Sequence, residues 1–250
     1  MKARRWQAGV WSESDEQLGR EAPLQILLNQ QSFAVTMRTP GEDEDLVRGL
    51  LHTEGVATMI DGLGQITLPD GHTAHVELPD VYICKELLER RTLAINSSCG
   101  LCGQRTFTPI EGEPLPLRSS QFATSAVPSL LVALRSSQPQ FAATGGVHAA
   151  AAVIGERIAF LAEDVGRHNA VDKIVGQALR AGQGVDALLV SGRVSYEIVT
   201  KVYRLGVSLL LAVSAPTTLA IETAARLGIT VIGFCRDDRA TVYSHPENVR

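Results

Sequence analysis

The sequence is poor in cysteine. Cys84, Cys99, Cys102 and Cys235 are the four thiols in 250 residues, too few for the disulfide framework of a secreted scaffold. Long apolar runs are also missing. The longest, around Val207 to Val213, falls far short of the roughly 20 residues a membrane-spanning helix needs. The basic start, Met1-Lys2-Ala3-Arg4-Arg5-Trp6, leads into no apolar stretch of the kind a secretory signal carries. There is no basic block either: the net charge is −4 with both signs interspersed, which leaves no electrostatic footprint for nucleic acid. No internal repeat or low-complexity tract appears. These absences predict a reducing, cytoplasmic setting with neither membrane nor nucleic acid as partner, and thiols that stay free unless chemistry uses them.

What is present suits a globular protein: 45% apolar and 20% charged residues, with length for one large core or two modest ones. The two halves read differently, and 1–118 and 119–250 are the expected domains. In the first, Leu24 to Leu28 and Phe33 to Met37 flank the turn-forming Asn29-Gln30-Gln31, which predicts paired strands. Glu42 to Leu51 reads as a short helix with acids in its first turn. Ile66 to Leu68 and Ala74 to Leu78 read as strands around Asp70-Gly71. Glu111 to Leu117, with two prolines, reads as linker.

The second half alternates. A helix is expected at Ser129 to Ser136, opened by Pro128, then a hairpin of His148 to Ile154 and Arg157 to Ala162. A helix follows at Asn169 to Ala181, with Asn169 as N-cap and Asp172 completing a variant capping box. Strands at Ala187 to Val190, Val207 to Val213 and Ile229 to Phe234 then alternate with helices at Ser195 to Leu205 and Thr218 to Leu227. The spacing predicts α/β layering with mostly parallel strands, and a smaller β-rich N-terminal subdomain beside it.

In such sheets the loops leaving the strand ends gather on one edge. Here they are polar: Asp164 to Asn169, Ser191 to Ser195, Ser214 to Thr218, and Cys235-Arg236-Asp237-Asp238-Arg239. Three of the four open a helix, whose free N–H groups suit phosphate. Arg167, Arg193, Arg236 and Arg239 add guanidinium forks. Ser191 and Gly192 let a ligand approach the backbone, and the Gly145-Gly146-Val147-His148 run either lines the site or makes a bend. Each loop also has a plainer reading: Asp164 or Asn169 as a cap, Arg193 paired with Glu197. Taken together the loops predict a site for a phosphorylated ligand such as a nucleotide.

The run Ser97-Ser98-Cys99-Gly100-Leu101-Cys102-Gly103-Gln104 is too small and loose for core and predicts an exposed loop. Its Cys-x-x-Cys spacing favours thiolate character. Zinc is one reading, with His72 and His75 as further ligands, but residues three apart on a strand face opposite ways. His52-Thr53-Glu54 with this pair imitates a zinc deaminase signature, yet Ser98 stands where proline belongs and His52 ends a helix. A dithiol oxidoreductase would open a helix at the motif, which Gly100, Gly103 and Thr106 to Pro109 do not suggest. A third reading is a sulfur carrier, in which a cysteine accepts sulfur as a persulfide and passes it on. Cys84 and Cys235, with apolar neighbours, read as packed residues.

With these residues in view, the chain resembles the FdhD family of formate dehydrogenase accessory sulfurtransferases. The resemblance runs through Arg38-Thr39-Pro40, Thr53-Glu54-Gly55, Ser98-Cys99-Gly100-Leu101-Cys102-Gly103 and Thr144-Gly145-Gly146-Val147-His148. It continues in Glu163-Asp164-Val165-Gly166-Arg167-His168-Asn169-Ala170-Val171-Asp172-Lys173, Ser191-Gly192-Arg193, Ser214-Ala215-Pro216-Thr217 and Val242-Tyr243-Ser244. It implies a sulfur relay from a cysteine desulfurase to the molybdenum cofactor, bis(molybdopterin guanine dinucleotide), before that cofactor enters formate dehydrogenase. Cys99 would carry the persulfide and Cys102 would assist. Phe234, Cys235, Arg236, Asp237, Asp238 and Arg239 would form the cofactor-binding segment, joined by Arg167, His168, Asn169, Ser191, Gly192 and Arg193 on the same edge. The resemblance further implies a homodimer, a C-terminal three-layer α/β/α domain like the cytidine deaminase fold without its zinc, no structural metal, and GDP as a mimic of the ligand. A chaperone that holds the cofactor without transferring sulfur is the alternative.

Overall fold

The computed structural model describes residues 1–56, 65–84, 94–95, 109–115 and 122–250, the pair 94–95 by backbone alone. Its N-terminal part is a five-stranded sheet ordered β5-β6-β3-β4-β7 with one helix. The strands are β3 (Ala22–Leu28), β4 (Gln31–Arg38), β5 (Ile66–Thr67), β6 (Thr73–Val76) and β7 (Ala94–Ile95), and α1 spans Asp43–Thr53. The β3–β4 hairpin forms where alternation predicts it. Leu24, Ile26 and Leu28 point into the core, and Asn29 and Gln30 turn the chain with φ of 47° and 65°, the twist a two-residue hairpin loop requires. Leu46, Val47, Leu50 and Leu51 of α1 cover that core, and Asp43, Glu44 and Asp45 occupy its first turn as expected.

The C-terminal part is a six-stranded sheet ordered β13-β12-β11-β10-β8-β9. Its strands are β8 (His148–Ile154), β9 (Arg157–Asp164), β10 (Ala187–Val190), β11 (Leu209–Ala212), β12 (Thr230–Arg236) and β13 (Arg239–Val242). Its helices are α2 (Val127–Ser136), α3 (Pro139–Thr144), α4 (Arg167–Ala181), α5 (Tyr196–Arg204) and α6 (Thr218–Arg226). Alternate strand residues serve opposite faces. Ala150, Leu188, Leu210 and Val231 pack under α4, α5 and α6, while Ala151, Leu189, Leu211 and Ile232 pack under α2. Both faces are dry, giving an α/β/α sandwich.

The expectation of mostly parallel strands is corrected. Among the described residues of this sheet, only β10–β11 and β11–β12 run parallel. β8 is antiparallel to both neighbours and β13 is antiparallel to β12. Tight turns at Gly155-Glu156 and Asp237-Asp238 allow no crossover, so the strands they join must reverse. The two reversals around β8 cancel, and β9 runs the same way as β10, β11 and β12. The four polar loops therefore still leave one edge.

The first residues, where the sequence shows no motif, form a further hairpin of β1 (Lys2–Gln7) and β2 (Val10–Asp15). Ala8 and Gly9 turn it with φ of 49° and 85°. Trp6 faces Trp11 across the strands, and the Arg4 guanidinium lies 5.3 Å from the Trp11 ring centre. Every residue of the hairpin strands except Ser14 is exposed. The stretch read as linker lies against the sandwich where described. The Leu115 N–H donates to Leu227 (2.9 Å), and Ile110 and Leu115 pack against the core. The expected junction at 118–119 lies outside the described residues.

The two parts meet where α1 crosses α4. Gly49 and Gly176 make the crossing close. A Cβ on Gly176 would overlap the Asp45 carbonyl, and one on Gly49 the Asp172 carbonyl. Gly176→Ala should therefore force the helices apart and cost about 1–3 kcal/mol, read as a lower midpoint in urea unfolding. A pair of buried lysines rivets the seam. Lys173 donates to the Thr39 carbonyl (2.9 Å) and the Glu163 carbonyl (3.2 Å) and pairs with Asp164 (2.9 Å). Lys201 donates to Thr53 Oγ1 (2.9 Å) and to both oxygens of Asp172 (2.9 Å each), with Glu54 at 3.3 Å. Both lysines are 1% exposed, so these charges depend on one another rather than on water.

Candidate functional site

The loops at the edge are tied to one another. Val194 bridges to Pro216; its N–H donates to Ala215 (3.1 Å) and its carbonyl accepts from Thr217 (2.9 Å). The Phe234 N–H donates to Ser214 (3.2 Å). On the other side Gly192 sits against Arg167 and the His148 ring, where a Cβ would lie 3.3 Å from Arg167 Cβ and 3.4 Å from His148 Nδ1. Ser191 Oγ accepts from the Ala149 N–H (2.9 Å). Thus the start of β8 and the ends of β9, β10, β11 and β12 form one continuous surface.

Three helices begin there: α4 behind Gly166, α5 behind Ser195 and α6 behind Thr217, none with a side-chain cap. Their first N–H groups are thus not taken by a capping side chain. This corrects the expected cap at Asn169. The helix starts two residues earlier, and Asn169 lies inside it and buried. Its amide donates to Met37 O (2.8 Å) and Asp164 Oδ1 (3.0 Å) and accepts from Thr36 Oγ1 (3.2 Å). Asp164 is fully buried and accepts from the Thr39, Gly166 and Asn169 nitrogens. Both residues shape the loop from within. The expected Asp172 capping box fails for the same reason, since Asp172 faces Lys201.

His168 is the most telling side chain of the edge. It is 6% exposed, and its Nδ1 contacts Glu197 Oε2. Among the described residues its Nε2 is buried without a hydrogen-bond partner, as is the Ser195 hydroxyl, and the Nδ1–Oε2 contact is close but not aligned as a hydrogen bond. Such orphaned polar atoms are costly unless a ligand or water answers them. Burial holds the His168 pKa below the usual histidine value despite Glu197. Burial also lowers that of half-buried His148, together with the nearby guanidinium groups of Arg167 and Arg193. Glu197, read from sequence only as a surface partner for Arg193, instead lies between His168 and Lys201 (3.9 Å).

The remaining predicted residues divide. Arg193, Phe234, Arg236, Asp237, Asp238 and Arg239 are exposed, and Arg167 and Ser191 are half-buried. Phe234 stands at the β12 bulge with φ 52°, a conformation that turns its ring outward at a cost a bulky residue rarely bears. Cys235 points the other way. It is fully buried in the core under α2, its Sγ 3.5 Å from the Ile232 carbonyl, and burial raises its pKa. Its backbone alone borders the edge.

Cys99 and Cys102 lie outside the described residues, but the chain on either side of them is placed. Ile95 of β7 pairs with Thr36 of β4, the residue whose hydroxyl reaches Asn169 at the start of α4. Ile110 donates its N–H to the Tyr196 hydroxyl (2.7 Å) in the first turn of α5. Both stems are fastened beside the helix starts that form the edge. Cys99 is four residues from Ile95, at most about 14 Å of extended chain.

A family model for FdhD/NarQ proteins matches residues 19–250. This chain belongs to the FdhD/NarQ family. Among its FdhD relatives, a protein of Sulfolobus acidocaldarius named sulfur carrier protein FdhD is 39% identical over 96% of this chain and 94% of its own length. Proteins of the same name from Streptomyces avermitilis and Cupriavidus necator are 37% and 34% identical, over 94% and 98% of this chain and 90% and 88% of their own lengths. A crystal structure from Desulfotalea psychrophila, provisionally assigned as a formate dehydrogenase accessory protein, superposes with a TM-score of 0.80 at 25% identity. The match covers 100% of this chain and 98% of that one. The β1–β2 hairpin lies before the span the FdhD/NarQ model matches.

Proposed function

We propose that this chain is a sulfur carrier for formate dehydrogenase, loading sulfur on Cys99 and delivering it to a molybdenum cofactor held at the sheet edge. Its curated relatives bear the name sulfur carrier protein FdhD, and the matched span includes both thiols. The observation that carries the reading is the tethering of the Cys99 segment. Its stems are fixed at Thr36 and Tyr196, beside a cationic edge where, among the described residues, His168 Nε2 and the Ser195 hydroxyl are buried without a hydrogen-bond partner.

In the loading step the Cys99 thiolate attacks the terminal sulfur of a persulfide on a cysteine desulfurase. The donor's S–S bond breaks, a new S–S bond forms on Cys99, and the donor cysteine leaves as thiolate. Cys102 stands close enough in sequence to share or shield that sulfur. The acceptor is bis(molybdopterin guanine dinucleotide), bound as substrate. Arg167, Arg193 and the three helix starts suit its pyrophosphates. Exposed Phe234 offers a ring face to guanine, and Arg236 and Arg239 flank it. Ser191 and Gly192 leave room for the backbone to approach, Asn169 holds the loop in shape, and Cys235, Asp237 and Asp238 form the turn that carries the arginines. A second copy of the chain completes the assembly as a homodimer, in the cytoplasm.

Mass spectrometry after incubation with a desulfurase and cysteine tests the loading step. The Cys99 peptide should gain the mass of one sulfur atom, and the gain should vanish on reduction. A Cys99 peptide that stays unmodified while the desulfurase turns over would refute it.

A further inference from the structure

The edge holds a polar arrangement that the sulfur chemistry does not use. The Glu197 carboxylate, from the first turn of α5, holds Nδ1 of His168, from the first turn of α4. A carboxylate against Nδ1 favours the proton there, which leaves Nε2 to face a ligand. That nitrogen is buried and has no partner. A neutral ring presents a lone pair there, which an anionic ligand would repel. A doubly protonated ring presents a donor.

We propose that Glu197 is a positioning residue that steadies His168 as an imidazolium when a phosphate group binds the edge, so that ligand binding takes up one proton. The inference rests on the edge being a nucleotide site. The charged and titratable groups around His168 are Glu197 and Lys201 from α5, Arg167 from α4 and His148 from β8; Arg193 acts on His148. Lys201 is committed to Asp172, Glu54 and Thr53. In the empty site burial keeps His168 neutral. A phosphate reverses the balance: its negative charge offsets Arg167 and Lys201 and meets the buried Nε2, while Glu197 compensates the new positive charge from the other side. The resulting carboxylate–imidazolium–phosphate chain is a pair of charge-assisted hydrogen bonds. It would make the site selective for ligands carrying a full negative charge over neutral nucleosides.

Calorimetric titration of the full chain with GDP in buffers of differing ionisation enthalpy measures the protons taken up. The wild type should take up close to one, and its affinity should weaken as pH rises, by at most about tenfold per pH unit. Glu197→Gln should lose most of the uptake and bind GDP about tenfold more weakly, with Glu197→Asp restoring part of both. His168→Asn should show no uptake, and His148→Gln should retain it, which separates the two rings. Guanosine, lacking phosphate, should bind without proton uptake. GDP binding with no uptake in the wild type would overturn the inference alone. If wild type fails to bind GDP at all, the reading of the edge as a nucleotide site falls, and the inference with it.

Discussion

Replacing Cys99 by alanine is expected to abolish formate dehydrogenase activation, to the level of cells lacking the protein, while leaving GDP affinity and the unfolding midpoint unchanged. The separation follows from geometry. The edge is built from β8, β9, β10, β11, β12 and the starts of α4, α5 and α6, and Cys99 belongs to none of them. Its loss would remove the proposed sulfur-bearing atom while leaving every residue of those elements in place. Cys102→Ala should reduce activation without abolishing it, because the first thiol still accepts sulfur. The measurement is formate dehydrogenase activity in a strain whose own gene is deleted and complemented with each variant. Full activation by Cys99→Ala would mean that the protein only holds the cofactor for insertion.

Lys201→Met should be the most damaging substitution to stability, costing about 3–5 kcal/mol. Lys201 Nζ is surrounded by Asp172, Glu54 and Glu197. Burial alone would lower its pKa, but these three carboxylates outweigh it and hold the ammonium above the ordinary lysine value. Its contribution is thus present through the neutral range and fades only in strong alkali. Burial lifts Asp172 to about 6 against the pull of Lys201. The two shifts pull the pair in opposite senses. The geometry supports the ion pair, since the ammonium touches both Asp172 oxygens at 2.9 Å.

Without Lys201 the Asp172 carboxyl rises further. The folded variant then keeps a proton that the unfolded chain releases above about pH 4. Stability of the variant must fall as pH rises from about 4 through the raised folded value. Urea unfolding should show a deficit that grows from about pH 5 to about pH 8. A deficit independent of pH would mean that the loss is one of packing.

The polar edge was legible because it depends on local facts. Glycines, prolines and hydroxyls cluster at strand ends, and strand and helix alternate at short spacing. The turn at Gly155-Glu156 is legible too, but the alternation of strand and helix around it reads as parallel, whereas this hairpin reverses direction without a crossover. Asn169 misled because a side chain of that type before an apolar run resembles a cap. Its true partners, Met37 and Thr36, are 132 and 133 residues away. Distance likewise hid the work of Arg38. It forms a two-pronged pair with Asp43 and donates to Ala22, Pro23 and Gly71 carbonyls. The β1–β2 hairpin escaped notice because charges and tryptophans share its strands, so apolar and polar residues do not alternate cleanly. Glu197 was seen only as a neighbour of Arg193. What could have revealed it is its place at the second position of a helix start, two residues beyond Ser195.

The riveted seam also constrains how a bulky ligand reaches its berth. Separating the halves would leave Lys173 with Asp164 and Lys201 with Asp172, but would strip these buried ammoniums of the Thr39, Thr53 and Glu54 oxygens and open a dry interior, so a cleft between the halves is not an available gateway. The nucleotide ligand proposed for this edge would therefore arrive laterally, across the open rim of strand ends. Whatever presents sulfur to it must approach from that same side.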